Sequence, residues 1–331
     1  MNPHERLLTV ENLTTSFKIR RGIFPAVRNV SFHLARNETL ALVGESGCGK
    51  SMTALSIMRL VPEPAGQIRS GEIRLKGTNL LDLSEEKMRK IRGNRVAMIF
   101  QEPMTSLNPV LTVGRQIAET LLYHRDVSKR EAHERALDLM NQVRIPSASQ
   151  RFSDYPHHFS GGMRQRVMIA MALACQPEII LADEPTTALD VTIQAQILYL
   201  LAELKQTHEM SMIFITHNLG IVASIADRVA VMYGGEIVEI AEVYELFENP
   251  VHPYTEMLLR SIPRMDRTLQ SLSFIPGQVP SIDRMPPGCR YAPRCPLRKD
   301  ICDQQDADLS LLRAAQNHQV RCWVRGQERR T

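Results

Sequence analysis

The chain has 331 residues, 40 of them basic and 36 acidic, for a formal net charge of +4. That length allows a large core and two domains, and so small a charge excess gives no argument for a nucleic-acid partner. Residues 1–6 lack the basic-then-apolar order of a signal peptide, and the longest apolar run, 167–175, covers about half a bilayer. The chain is therefore expected in the cytosol, with any membrane link made through a partner. Six cysteines in that compartment point to metal, reactivity or packing before disulfides. Arg325 and the residues after it form a locally basic end, read as a solvated tail.

Residues 7–17 and 26–34 read as two antiparallel strands around a loop at 18–25. Phe17 closes the first strand, where an aromatic ring can stack on adenine or simply finish the core edge. The apolar run 39–43 reads as a buried strand, and 52–60 as a helix. Between them, Gly44-Glu45-Ser46-Gly47-Cys48-Gly49-Lys50-Ser51 fits G-x-x-x-x-G-K-[ST], the phosphate-binding loop, in the strand–loop–helix setting that the motif requires. The glycines let successive N–H groups turn toward phosphate oxygens, and the helix N-terminus adds partial positive charge. Lys50 can reach the β- and γ-phosphates, and the Ser51 hydroxyl can ligate Mg²⁺. Cys48 is either a tolerated small side chain or, in so electropositive a loop, a thiol of lowered pKa open to oxidation.

Residues 71–75 read as a short strand and 84–91 as a short helix with acids in its first turn. The buried strand 96–100 delivers Gln101, whose side-chain oxygen can touch Mg²⁺ or an attacking water, or can be an ordinary strand-end polar group. Strands then stop. Thr112 can cap a helix over 113–122, and Ser128-Lys129-Arg130-Glu131 is a capping box for a helix with Ala132, Ala136, Leu139, Met140 and Val143 at helical spacing. An inserted helical lobe over residues 105–170 is expected. Ser160 caps the next helix, and Gly161-Gly162 leave bare N–H groups at its start, a second candidate phosphate site. The apolar run 179–182 ends in Asp183-Glu184, carboxylates at a strand's C-terminal edge, where open α/β sheets place ligand chemistry. Asp183 suits Mg²⁺, and Glu184 suits polarising water. Asp190 precedes a helix over 192–204, the strand 212–216 leads into His217, and 228–240 reads as a hairpin about Gly234-Gly235.

In this order and rough spacing, the phosphate loop, Gln101, Ser160-Gly161-Gly162, Asp183-Glu184, Asp190 and His217 resemble the ATPase subunits of ABC transporters over residues 7–250. The resemblance implies an α/β P-loop fold with a mixed core sheet, an antiparallel β subdomain and the inserted helical lobe. It implies that Phe17 stacks on adenine, that Gln101 lies between sheet core and lobe, and that Glu184 is the catalytic glutamate. It makes 159–165 the signature motif, Asp190 the D-loop aspartate and His217 the switch histidine. Two departures, Met163 followed by Arg164-Gln165 and the D-loop Thr187-Ala188-Leu189-Asp190, resemble the peptide-importer branch. The family further implies two ATPase subunits facing head to tail, each ATP between the phosphate loop of one and the signature of the other. A heterodimer with a second, related ATPase is expected.

Residues 251–331 resemble the small, irregular C-terminal extension of oligopeptide and dipeptide importer ATPases. His252-Pro253-Tyr254-Thr255 opens a helix with Pro at its first position, and Pro276-Gly277 with Val279-Pro280 reads as a rigid extended stretch. Four of the six cysteines, Cys289, Cys295, Cys302 and Cys322, fall here with spacing C-x5-C-x6-C-x19-C. The C-x2–4-C pairs usual for zinc are absent, so a 4Fe–4S cluster, zinc and unrelated thiols stay open. Similar dipeptide importer ATPases carry such a cluster. Cys175 reads as packing. The expectation is an ATP-hydrolysing subunit using ATP and Mg²⁺, at the cytoplasmic face of a bacterial inner membrane. Its expected partners are two transmembrane permease subunits, a second ATPase and a periplasmic solute-binding protein, with no nucleic acid. The alternative is a soluble ABC ATPase of metal-cluster assembly or DNA repair.

Overall fold

A computed structural model describes residues 6–262, 275, 277–307, 310–311 and 318–328. The expectations for residues 1–5, Pro276 and the basic end beyond 328 lie outside the described residues. Strands in chain order are β1 (Arg6–Ile19), β2 (Gly22–Ala35), β3 (Thr39–Val43), β4 (Gly66–Leu75), β5 (Thr78–Asn79), β6 (Val96–Ile99), β7 (Ile179–Asp183), β8 (Ser211–Thr216), β9 (Arg228–Tyr233), β10 (Glu236–Glu242), β11 (Ser310–Leu311) and β12 (Gln319–Val320). The chain divides into two compact units: one of 82–214 with Ala35–Asn37, the other of Arg6–Leu34, Glu38–Leu81 and the chain from Ile215 on.

The second unit holds an antiparallel sheet in the order β2-β1-β4-β5. Phe17 faces Gly66 across β1 and β4, and a Cβ on Gly66 would stand 2.9 Å from the Phe17 ring. The expected loop at 18–25 is wrong: β1 and β2 run on to a turn at Arg20-Arg21. No Asn-Gly or Pro marks that turn, and the exposed Lys18, Ile19 and Ile23 give no burial pattern to reveal the strands there. In this unit's second sheet β3 pairs parallel with β9, β9 antiparallel with β10, β10 with β12 and β12 with β11. Every residue of β3 is buried, which is why it reads as an unbroken apolar run. The β9–β10 turn has positive φ at both Gly234 (55°) and Gly235 (89°), the conformation a two-residue hairpin demands.

The chain past residue 250 shares this unit's core. Tyr254, Leu258 and Tyr291 pack in one cluster with Ala41, Val43 and Val231. The helix Pro253–Arg260 starts as expected, with His252 Nδ1 accepting from the Tyr254 N–H at 3.1 Å. Buried Glu239 accepts the N–H groups of Val251 (2.8 Å) and His252 (2.9 Å) and faces His318 Nε2 at 2.7 Å.

In the first unit β6 pairs parallel with β7, Val96 opposite Ile179. The expected helical lobe is present as Val113–His124, Lys129–Gln142 and Gly161–Leu173. Ser128 Oγ accepts from the Glu131 N–H at 3.2 Å, but the Glu131 carboxylate takes Arg135 instead of completing the capping box. Thr112 occupies its N-cap position without a side-chain cap bond. Buried Gln116 does the fastening, accepting from the Asn108 N–H and donating to the Asn108 and Leu111 carbonyls. Among the described residues no helix is long and apolar enough to cross a membrane.

Candidate nucleotide-binding site

The phosphate loop lies in the second unit, between buried β3 and the helix Lys50–Ile57. Gly49 ends the loop at φ 101° and a Cβ there would stand 2.9 Å from the Ala26 carbonyl oxygen, so only glycine fits. The Lys50 side chain folds back along the loop, Nζ donating to the carbonyls of Gly44 (2.8 Å) and Glu45 (3.0 Å). That fixes a cation inside a ring of backbone, where a phosphate's charge is best met. Ser46 and Gly47 form the exposed crest, and Ser51 follows Lys50 on the first turn of the helix.

Of the two readings of Cys48, burial favours the small packed side chain over the reactive thiol. Cys48 is fully buried, and burial raises its pKa, outweighing the opposing pull of Lys50. Cys175 is buried too, its Sγ 3.8 Å from the Thr120 carbonyl, in keeping with packing. Phe17 is half-buried near the end of β1, and His217 is exposed just after β8. Sequence reasoning missed two residues that hold the loop: Tyr254 Oη accepts from the Glu45 N–H, and Arg294 pairs with the Glu45 carboxylate. Tyr254 carried a signal as part of His-Pro-Tyr; Arg294 carried none.

In the first unit, buried Asp183 ends β7 and half-buried Glu184 follows it. Glu184 sits at φ 44°, the left-handed region, where a non-glycine residue is strained. Its Oε2 accepts from Gln101 Nε2 at 3.1 Å and from Thr187 Oγ1 at 2.9 Å. Gln101 and Glu184, 83 residues apart, are thus brought together as a pair. Asp190 caps the helix Val191–Thr207, accepting from the Ile193 N–H at 2.9 Å. Ser160 caps Gly161–Leu173 through a longer bond, 3.4 Å, from the Met163 N–H. Gly162 has a packing reason of its own: a Cβ there would meet Ile193 Cγ2 at 2.6 Å.

The four extension cysteines, in the second unit, line one small and nearly all-apolar cavity with His252 and Trp323. None is in a disulfide. Burial pushes the Cys289 thiol up to about 12, with Cys302, Cys295 and Cys322 adding to the rise. Cys295 is raised by burial and then by Cys322 and Cys302. Among the described residues, no three His, Cys, Asp or Glu side chains are disposed to hold a metal ion.

Known proteins agree with this architecture. Residues 27–187 match the ABC transporter family, and 238–302 match the oligopeptide/dipeptide transporter C-terminal region. The chain is 53% identical over 322 residues to the oligopeptide transport ATP-binding protein AppD of Bacillus subtilis, covering 97% of this chain and 98% of that one. It is 50% identical over 323 residues to the dipeptide transport ATP-binding protein DppD of the same organism, covering 98% and 96%. Among solved structures it resembles the dimeric ATP-binding cassette MJ0796 bound to ADP and Pi, at TM-score 0.64 and 28% identity over 71% of this chain and 98% of that one. The chain belongs to the ABC ATPases, in the branch that carries the oligopeptide/dipeptide transporter C-terminal region. These likenesses give no support to the cluster-assembly or repair alternative.

Proposed function

We propose that this chain is the ATP-hydrolysing subunit of a bacterial importer of peptides or peptide-like solutes. The observation that carries the reading is near-full-length identity to oligopeptide and dipeptide transport ATP-binding proteins, extension included. We read 1–250 as the ATPase domain, with the helical lobe at 105–170, and 251–331 as the importer-type extension. Phe17 stacks on adenine. Residues 44–51 bind the phosphates, with Lys50 on the β- and γ-oxygens. Ser51, Gln101 and Asp183 hold Mg²⁺, which neutralises phosphate charge when bound. Glu184 orients and polarises the attacking water, and its bonds to Gln101 and Thr187 favour a fixed carboxylate. His217 senses the γ-phosphate. Ser160, Gly161, Gly162 and Asp190 serve the nucleotide of a second ATPase subunit, a related chain. Two membrane permeases and a periplasmic binding protein complete the assembly, placing this chain peripherally at the cytoplasmic face of the inner membrane.

We further propose that Cys289, Cys295, Cys302 and Cys322 ligate a 4Fe–4S cluster. Four unbridged thiols lining one cavity are the donor set such a cluster takes. Held by these four thiolates, such a cluster would tie residues 289–302 to Cys322. Anaerobically purified protein with near four irons per chain supports it; colourless, iron-free protein overturns it.

The import reading is tested by tagging the chain and solubilising membranes gently. Co-purification of two multi-span subunits and a second ATPase supports it; soluble partners alone overturn it. Steady-state hydrolysis tests the roles. Glu184→Gln is expected to bind ATP without turnover, and a wild-type rate in that variant shows that water is activated elsewhere.

A further inference from the structure

The extension reaches the phosphate loop from behind. Glu45, the loop's second residue, is held at three points. Its N–H donates to Tyr254 Oη at 3.0 Å. Its carboxylate takes a two-pronged pair from Arg294, Nη1 to Oε2 at 2.7 Å and Nη2 to Oε1 at 3.1 Å. Its carbonyl accepts from Lys50 Nζ at 3.0 Å.

Both holders are themselves rigid. Arg294 Nη2 also donates to the carbonyls of Ile275 and Gly277, its Nη1 to Tyr233 Oη, and its guanidinium lies 5.7 Å from the centre of the Tyr233 ring. Its side chain is 5% exposed, against 31% for Glu45. A planar fork held in this way fixes a carboxylate in direction as well as distance. Tyr254 is fully buried, edge-on to Tyr233 at 4.7 Å and tilted against Tyr291 at 5.3 Å.

A plain ion pair that staples the extension down would need only the Glu45 carboxylate. Here the held residue also supplies one of the two loop carbonyls, with that of Gly44, that receive the Lys50 ammonium. We propose that Arg294 and Tyr254 are positioning residues for nucleotide binding: by fixing Glu45 they fix one of the two carbonyls that aim Lys50. ATP affinity is then set partly by the extension. The inference rests on the reading that this loop binds ATP.

The test uses the full-length chain, titrated with a fluorescent ATP analogue and assayed for steady-state hydrolysis. Arg294→Ala and Glu45→Gln are each expected to weaken nucleotide binding roughly 5- to 20-fold, a coupling of ordinary size. The loss should fall on KM more than on kcat. The double variant should be no weaker than the worse single, because both remove one interaction. Arg294→Lys should recover part of the loss, since it keeps the charge and loses the fork. Tyr254→Phe, which removes only the acceptor for the Glu45 N–H, should also raise KM. Glu45→Gln preserves shape and carries the test if Arg294→Ala fails to fold. Losses that multiply in the double variant, or a lowered Tm with unchanged nucleotide affinity, overturn the inference alone. A wild-type chain that binds no nucleotide overturns the functional reading and this inference with it.

Discussion

Glu239 offers the sharpest test of how the extension is held. Its carboxylate has no exposure and gives Oε1 to the Val251 N–H and His318 Nε2, and Oε2 to the His252 N–H. Glu239→Gln keeps the shape, so no cavity opens. An amide has one oxygen where the acid has two, so one backbone N–H must face an NH₂ group instead of an acceptor. A buried donor left without a partner costs about 1–3 kcal/mol, and the surviving bonds lose their charge assistance, for a total of about 2–4 kcal/mol. At 1.36 kcal/mol per factor of ten, that speeds hydrogen exchange about 30- to 900-fold where opening of this segment limits exchange. The assay is exchange at the Val251 and His252 amides, read by mass spectrometry of peptides spanning 245–260. Wild-type protection there would refute the claim that this carboxylate anchors the start of the extension.

Other contacts carry three further expected outcomes. Gly44→Ala puts a Cβ 2.2 Å from the Met232 carbonyl oxygen at φ 149°, so the loop must shift; ATP binding should weaken at least about tenfold, measured by equilibrium titration. Gly162→Ala drives a Cβ into Ile193, and should cost about 1–3 kcal/mol by denaturant midpoint, with Ile193→Ala in the same chain relieving the clash so that the two costs do not add. Burial first, then Arg228 and Arg6, lowers the pKa of His33 from 6.5 to about 4. The unfolded chain takes up that proton first, so the contribution is present above 6.5 and is lost as pH falls from 6.5 toward 4. His33→Gln should flatten the stability curve in that window relative to wild type, and identical slopes would exclude the effect.

The phosphate loop was legible because its chemistry is local: eight consecutive residues with a buried strand before and a helix after. The β9–β10 hairpin was legible for the same reason, since Gly234-Gly235 announces its turn. Where geometry is set by distant partners, the sequence is silent. Arg294 and Glu45 are separated by 249 residues. Strand β12 has two residues and takes its identity from β10. Cys48 stayed open between a small packed side chain and a reactive thiol because the lysine beside it is visible in the sequence and the burial around it is not. Ser160-Gly161-Gly162 suggested an anion site from bare N–H groups, yet the nearness of Ile193 gives Gly162 a separate reason to be glycine.

The pairing of β12 on the outer edge of β10 also bears on how the chain is made. Synthesis runs from the N-terminus, so β10 and Glu239 leave the ribosome well before Gln319–Val320 and His318. Until residues 318–320 emerge, a strand lacks its outer neighbour and a carboxylate destined for burial faces solvent. A chain that stops near residue 310 therefore has an open outer edge on β10 and a Glu239 without His318, while Tyr254 and Arg294 are already in place beside Glu45.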